Sequence, residues 1–189
     1  MKWRAYSKRS RIIAYCGIDN GVTGAVATLH NDIVSFFPTP VMKEQDYTKK
    51  VKGITRILPW VLYNHLEHMC IGAGRVYILL ERPMVNHRRF VQSASAVRAH
   101  EATLIVFSML QAKYGNVRYK VIDSKEWQAS IIPRAKGDDL KPASTMRATE
   151  KFPEYSLELM KNDGDALCIL LYMIERDKWI HSGIWRTPN

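Results

Sequence analysis

The sequence predicts an α/β fold, a mixed β-sheet flanked by helices, and three observations carry that expectation. Three short runs of β-branched and apolar residues follow one another between Ile12 and Phe37, joined by turn residues, which reads as an antiparallel meander. Helical and strand-like patterns then alternate to the end of the chain, so the later strands join the sheet through covering helices. At 189 residues there is room for one well-packed domain, and two would be cramped.

The elements follow in order. Residues 1–11 carry Lys2, Arg4, Lys8, Arg9 and Arg11 and are expected to form a flexible basic arm ahead of a single domain spanning 12–180, with 181–189 as a tail. Ile12 to Ile18 is a buried strand, Asp19-Asn20-Gly21 a turn, and Gly24 to Leu29 a second strand. His30-Asn31-Asp32 connects tightly to a third, Ile33 to Phe37, which Pro38 and Pro40 stop. Lys43 to Lys52 is polar and reads as a mobile surface segment. Ile54 to Met69 has helical spacing, with Pro59 as a kink or a late start. Val76 to Glu81 is another buried strand, and a long helix runs from about Val91 to Lys113. Val117 to Ile122 is the fifth strand, after which Asp123 or Ser124 caps a short helix containing Trp127. Pro133 to Pro142 reads as a charged loop, Ala143 to Lys151 as a helix, and Gly164 to Lys178 as a final helix apolar on most sides.

Composition narrows the function classes. No apolar run approaches the roughly 20 residues that span a bilayer, so no membrane partner is expected. Cys16, Cys70 and Cys168 stand far apart without a zinc-like spacing, and read as buried free thiols in a reducing cytoplasm. Against 18 acidic residues stand 28 Lys and Arg, a net charge of +10. Such an excess favours a polyanion, because each neutralised phosphate releases counterions.

Several acidic residues stand where apolar segments end or begin. The Ile12–Ile18 run leads into Asp19, Tyr77-Ile-Leu-Leu leads into Glu81, and Asp165 opens the last apolar helix. A buried carboxylate is costly unless it is paired, hydrogen-bonded or bound to a metal. Singly, Asp19 fits a turn, Glu81 a salt bridge and Asp165 favourable charge at a helix start. Together, from three separate segments, they point to a hard-cation site. Paired Mg²⁺ or Mn²⁺ ions about 3.5–4 Å apart can hold both the attacking and leaving oxygens of a phosphodiester.

These residues resemble the RuvC-like Holliday-junction resolvases of the RNase H-like superfamily. Gly17-Ile-Asp19-Asn-Gly21-Val-Thr-Gly24-Ala25 is similar to the family's first-strand motif, with Asn20 where the family usually has Pro. Leu79-Leu80-Glu81-Arg82-Pro83 resembles its second acidic motif, and Lys161-Asn-Asp163-Gly-Asp165-Ala-Leu-Cys-Ile-Leu its C-terminal helix. Asp123-Ser-Lys125-Glu-Trp127 and Lys141 to Pro153 give the chain the cast of the bacteriophage branch. The resemblance implies an RNase H-like mixed five-stranded sheet and an Mg²⁺- or Mn²⁺-dependent endonuclease, with two ions held by Asp19, Glu81, Asp163 and Asp165. It further implies paired cuts in branched DNA by a two-fold homodimer, in the cytoplasm of a bacterium or a phage-infected host.

One departure concerns the final motif. The family commonly has an acid or His three positions before the last Asp, and here that position is Asn162. Asp163 lies two before, about 200° round an ideal helix. Either Asp163 precedes the helix and swings in, or Asn162 is the fourth contact, or three carboxylates serve; Asp163 is favoured because Gly164 relaxes the backbone.

His87-Arg88-Arg89-Phe90 reads either as a solvated basic loop with one core Phe or as a DNA-contacting loop. In the second reading, which the resemblance implies, Phe90 stacks on a splayed base at the branch point. Lys125, Arg134, Lys136, Lys141 and Arg147 are expected phosphate contacts. The competing readings are an RNase H-type nuclease acting on RNA–DNA hybrid, a non-catalytic branched-DNA-binding module, and an actin-like or sugar-kinase phosphate-binding protein. The last needs two such domains and a second phosphate loop, which this length does not supply.

Overall fold

The computed structural model describes residues 12–44, 53–86, 88 and 90–181, and side chains as far as residue 176. The basic arm, the segment 45–52, His87, Arg89 and the residues beyond 181 lie outside the described residues.

Strands β1 (Ile13–Ile18), β2 (Ala25–His30) and β3 (Ile33–Pro38) form the antiparallel meander. Asn31 and Asp32 both take positive φ, the two-residue turn whose twist matches a hairpin. Strands β4 (Val41–Glu44) and β5 (Ile54–Ile57) then pair with each other as a separate ribbon. Helix α1 (Pro59–Cys70) leads to β6 (Arg75–Glu81), and helix α2 (Phe90–Tyr114) to β7 (Val117–Ile122). The rest is helical: α3 (Ser124–Ile131), α4 (Leu140–Lys151), the single turn α5 (Ser156–Leu159) and α6 (Asp165–His181).

The main sheet has the order β3-β2-β1-β6-β7, with β6 and β7 parallel to β1. This is the mixed five-stranded sheet, flanked by helices, that the sequence predicts. One face is covered by α1 and α2, packed on Ala14, Cys16, Ile18, Ile78 and Leu80. The other is covered by α6, flanked by α3 and α4, around Trp127, Leu167 and Leu170. Strand β1 is buried on both faces, which explains its unbroken apolar run.

Three expectations need correction. Ile54–Ile57 is strand β5, not the start of a helix, because Leu58 precedes Pro59 and takes an extended conformation. The helix therefore starts with Pro59 in its first turn, where its missing N–H costs nothing. Lys43 and Glu44 belong to β4, and Glu44 is tied across the ribbon to Arg56 at 2.6 Å. The segment Pro133–Pro142 is not wholly a loop: a short tight helical turn covers Gly137–Asp139, and α4 begins at Leu140 with Pro142 in its first turn. All three free cysteines are buried, as expected.

One close approach fixes where α6 sits. A Cβ on Gly17 would come within 2.5 Å of the Leu170 nitrogen and 2.6 Å of the Ala166 oxygen. Only glycine lets the backbone of α6 lie directly on β1. Gly17→Ala is therefore expected to push α6 off the sheet, costing about 1–3 kcal/mol or more. Thermal unfolding checks this: an unchanged Tm would contradict the packing.

Candidate metal centre

Strand register brings the first two acids together. Parallel pairing matches Ile18 with Leu80, so Asp19 and Glu81 follow side by side at the carboxyl edge of the sheet. Open α/β sheets bind ligands at such edges. The turn after β1 is closed by a bond from the Asp19 N–H to the Ala25 carbonyl, 3.1 Å. Gly24 leaves room there, since a Cβ on it would stand 3.1 Å from Asp19 Oδ2 and 2.3 Å from the Asp19 carbonyl oxygen.

Helix α6 brings the others. Asp165 is its first residue, and Asp163 lies just ahead of it. A helical angle between the two positions therefore has no bearing, and both side chains converge. One carboxylate oxygen from each of Asp19, Asp163 and Asp165 lies within 4.8 Å of the other two. Gly164 does this by close packing rather than by an unusual backbone angle. Its φ is not positive, and a Cβ would lie 2.5 Å from the Ser144 carbonyl of α4. Asn162 turns back instead, its Nδ2 donating to the Glu158 carbonyl at 3.1 Å.

Glu81 flanks the trio. Its Oε2 accepts a 3.1 Å bond from the indole N–H of the fully buried Trp127. Lys141 approaches from α4, its Nζ 2.9 Å from Asp163 Oδ2. Asp163 raises the Lys141 ammonium above its usual range.

The electrostatics are those of a crowded anionic site. Burial, then the charges of Asp163, Glu81 and Asp165, push the Asp19 carboxyl well above the usual range. Burial and then Asp165 push Glu81 up to about 7, against the Trp127 bond. Burial and then Asp163 push Asp165 up to about 6, against a bond from Ser144 and the charge of Lys141. A cation relieves that repulsion. The donors are carboxylate oxygens with no thiolate among them, a set suited to Mg²⁺ or Mn²⁺. Asp19, Asp163 and Asp165 are the residues that could hold such an ion, with Glu81 beside them.

These shifts set a pH dependence. The folded pKa of Glu81 lies above its ordinary 4.5, at about 7, and that of Asp165 above 3.8, at about 6. Between those limits the native state binds more protons than the unfolded chain, so in EDTA the contribution of this site to stability falls as pH rises. Tm measured in EDTA is expected to decline across that window, and less steeply in Glu81→Gln. An equal slope in Glu81→Gln would contradict the assignment.

The residues expected to contact DNA differ in exposure and pairing. Arg88 and Phe90 are exposed where α2 begins; Phe90 is 78% exposed, so it is not a core residue. Ser93 holds the preceding loop, accepting from the Asn86 N–H at 2.9 Å, and Asn20 Nδ2 ties the Asp19 turn to the Ala96 carbonyl of α2 at 3.2 Å. Lys125, Arg134 and Lys136 are exposed. Arg147 is half-buried and paired with Glu150 at 2.8 Å. The sequence reading did not foresee the Trp127–Glu81 bond or the Lys141–Asp163 pair. A buried indole normally finds an acceptor, and that was the available signal for Trp127.

No family model and no curated relative matches the chain. Among solved structures, the chain is similar to Thermus thermophilus RuvC in complex with a Holliday-junction substrate, at 11% identity and a TM-score of 0.49, covering 91% of this chain and 97% of that one. A second Thermus thermophilus RuvC structure gives 13% identity and a TM-score of 0.45, covering 90% and 97%. The Fowlpox virus resolvase in complex with its substrate Holliday-junction DNA gives 10% identity and a TM-score of 0.39, covering 86% and 99%.

Proposed function

We propose that this chain is a metal-dependent, structure-selective endonuclease that cuts four-way and other branched DNA junctions in pairs. The observation that carries the reading is the convergence of Asp19, Asp163 and Asp165, with Glu81 beside them, at the carboxyl edge of an RNase H-like sheet. The motif resemblance supports branched DNA as the substrate, and the net charge of +10 supports a polyanion.

Asp19, Glu81, Asp163 and Asp165 hold two Mg²⁺ or Mn²⁺ ions in this reading. When bound, the ions supply Lewis acidity and a nucleophilic water for phosphodiester hydrolysis. The chain's own residues do the rest. The sheet edge and α6 fix the carboxylates on rigid elements, which sets the position of the scissile phosphate. Lys141 places a positive charge beside Asp163, where it can meet a phosphate oxygen. Arg88, Arg89, His87, Lys125 and Arg147 contact the DNA backbone, and Phe90 stacks in the opened branch point. The active form is a homodimer, which places two such sites on opposing strands. Residues 12–180 form one nuclease domain, and the protein works in the cytoplasm.

The test is incubation with a four-way junction, a linear duplex and an RNA–DNA hybrid of matched sequence, in Mg²⁺ or in EDTA. Paired symmetric nicks in the junction alone, lost in EDTA, are expected. Preferential cutting of the hybrid would replace this reading with that of a hybrid-specific nuclease. Single-turnover Mg²⁺ titrations then separate the last motif. Asp163→Asn is expected to raise the metal requirement, and Asn162→Ala to leave it unchanged. The reverse pattern would make Asn162 the ligand.

A further inference from the structure

We infer that Trp127 is a positioning residue for the metal centre: its indole N–H holds Glu81 in place without neutralising it. This rests on the proposed metal centre and adds a residue that the acidic motifs do not contain.

The geometry is specific. Trp127 is 0% exposed, and its Nε1 donates to Glu81 Oε2 at 3.1 Å. A buried indole N–H has no water to fall back on, so any swing of Glu81 leaves it without a partner, which is costly. Using Oε2 in this way leaves Oε1 as the oxygen free to face a cation. A lysine or arginine here would also orient Glu81, but its charge would compete with the metal. An indole does not.

Helix α3 is built to hold that ring. Asp123 caps the helix, accepting from the Lys125 N–H at 3.0 Å. Glu126, next to Trp127, is anchored to α6: its Oε1 accepts from Tyr172 at 2.9 Å and lies 2.7 Å from Arg176 Nη1. The Asp123-Ser-Lys-Glu-Trp127 segment thus ties the β7 end, α6 and Glu81 together. Helix α6 also carries Asp165, so a single brace spans two of the acidic segments.

The experiment measures Mn²⁺ binding calorimetrically on the full chain without DNA. Loss of a partner that orients a metal ligand costs 10–100-fold in metal affinity, so Trp127→Phe is expected to weaken Mn²⁺ binding by about that factor. Because the effect acts through Glu81, adding Trp127→Phe to Glu81→Gln is expected to cost no more than roughly twofold further. Unchanged affinity in Trp127→Phe, or the same loss in both backgrounds, overturns the inference. Mn²⁺ binding that survives Asp19→Asn overturns the metal centre and this inference with it. Should Trp127→Phe fail to fold, the wild-type chain with ¹⁵N-labelled indoles decides. The Trp127 resonance, identified by its shift in Glu81→Gln, is expected to move on addition of Mg²⁺ in wild type and to stay fixed in Asp19→Asn. A resonance that Mg²⁺ leaves unmoved in wild type overturns the inference.

Discussion

Asp19→Asn is expected to abolish junction cleavage, by more than about 100-fold, while leaving junction binding intact. Losing a mere partner of a ligand already costs 10–100-fold, and Asp19 is one of the three converging carboxylates. Binding survives because the positive surface is untouched. Stability moves the other way. Asp19 is half-buried and faces Asp163, Glu81 and Asp165, so removing its charge relieves repulsion in the metal-free chain. In EDTA at pH 8 the variant is expected to melt above wild type. Cleavage measured at matched DNA occupancy tests the first part, and full activity would remove Asp19 from the site.

The second large effect separates recognition from charge. Phe90 is exposed at the start of α2, so truncating it opens no cavity in the core. Base–aromatic stacking is worth about 1–3 kcal/mol, so Phe90→Ala is expected to weaken or misdirect junction cleavage by that amount. Binding to linear duplex, which offers no splayed base, is expected to stay nearly constant. Arg88→Ala and Arg89→Ala are expected to weaken both substrates, each lowering the salt slope by about one unit per lost phosphate contact. Equal weakening of duplex and junction by Phe90→Ala would contradict the stacking role.

The sheet was legible because its strands are written in short apolar runs that stop at turn residues. The Asn31-Asp32 hairpin and the Asp19 and Glu81 strand ends all stand where the residues placed them. The β4–β5 ribbon was not legible. Ile54 and Ile57 are three apart, a helical spacing, and nothing local reveals that they pair with Glu44 and Val41. Proline at 142 misled in the opposite direction, because it marks a helix's first turn as well as a break.

The acids of the site were legible one by one, but the contacts that unite them are tertiary. Asp163 joins Asp165 because α4 packs so tightly on Gly164, through the Ser144 carbonyl, that no side chain fits there. From the sequence, that glycine looked like a source of backbone freedom. Likewise Lys141 read as a phosphate contact, and in the fold its exposed side chain also pairs with Asp163. Long-range packing of this kind leaves no periodic trace.

The most direct test of the central claim is a crystal of the full chain grown with Mn²⁺ and measured at the manganese absorption edge. Anomalous density between the carboxylates of Asp19, Asp163 and Asp165, with Glu81 in contact, is the expected result. A structure with those carboxylates ordered and no anomalous density among them, at millimolar Mn²⁺, would contradict the account.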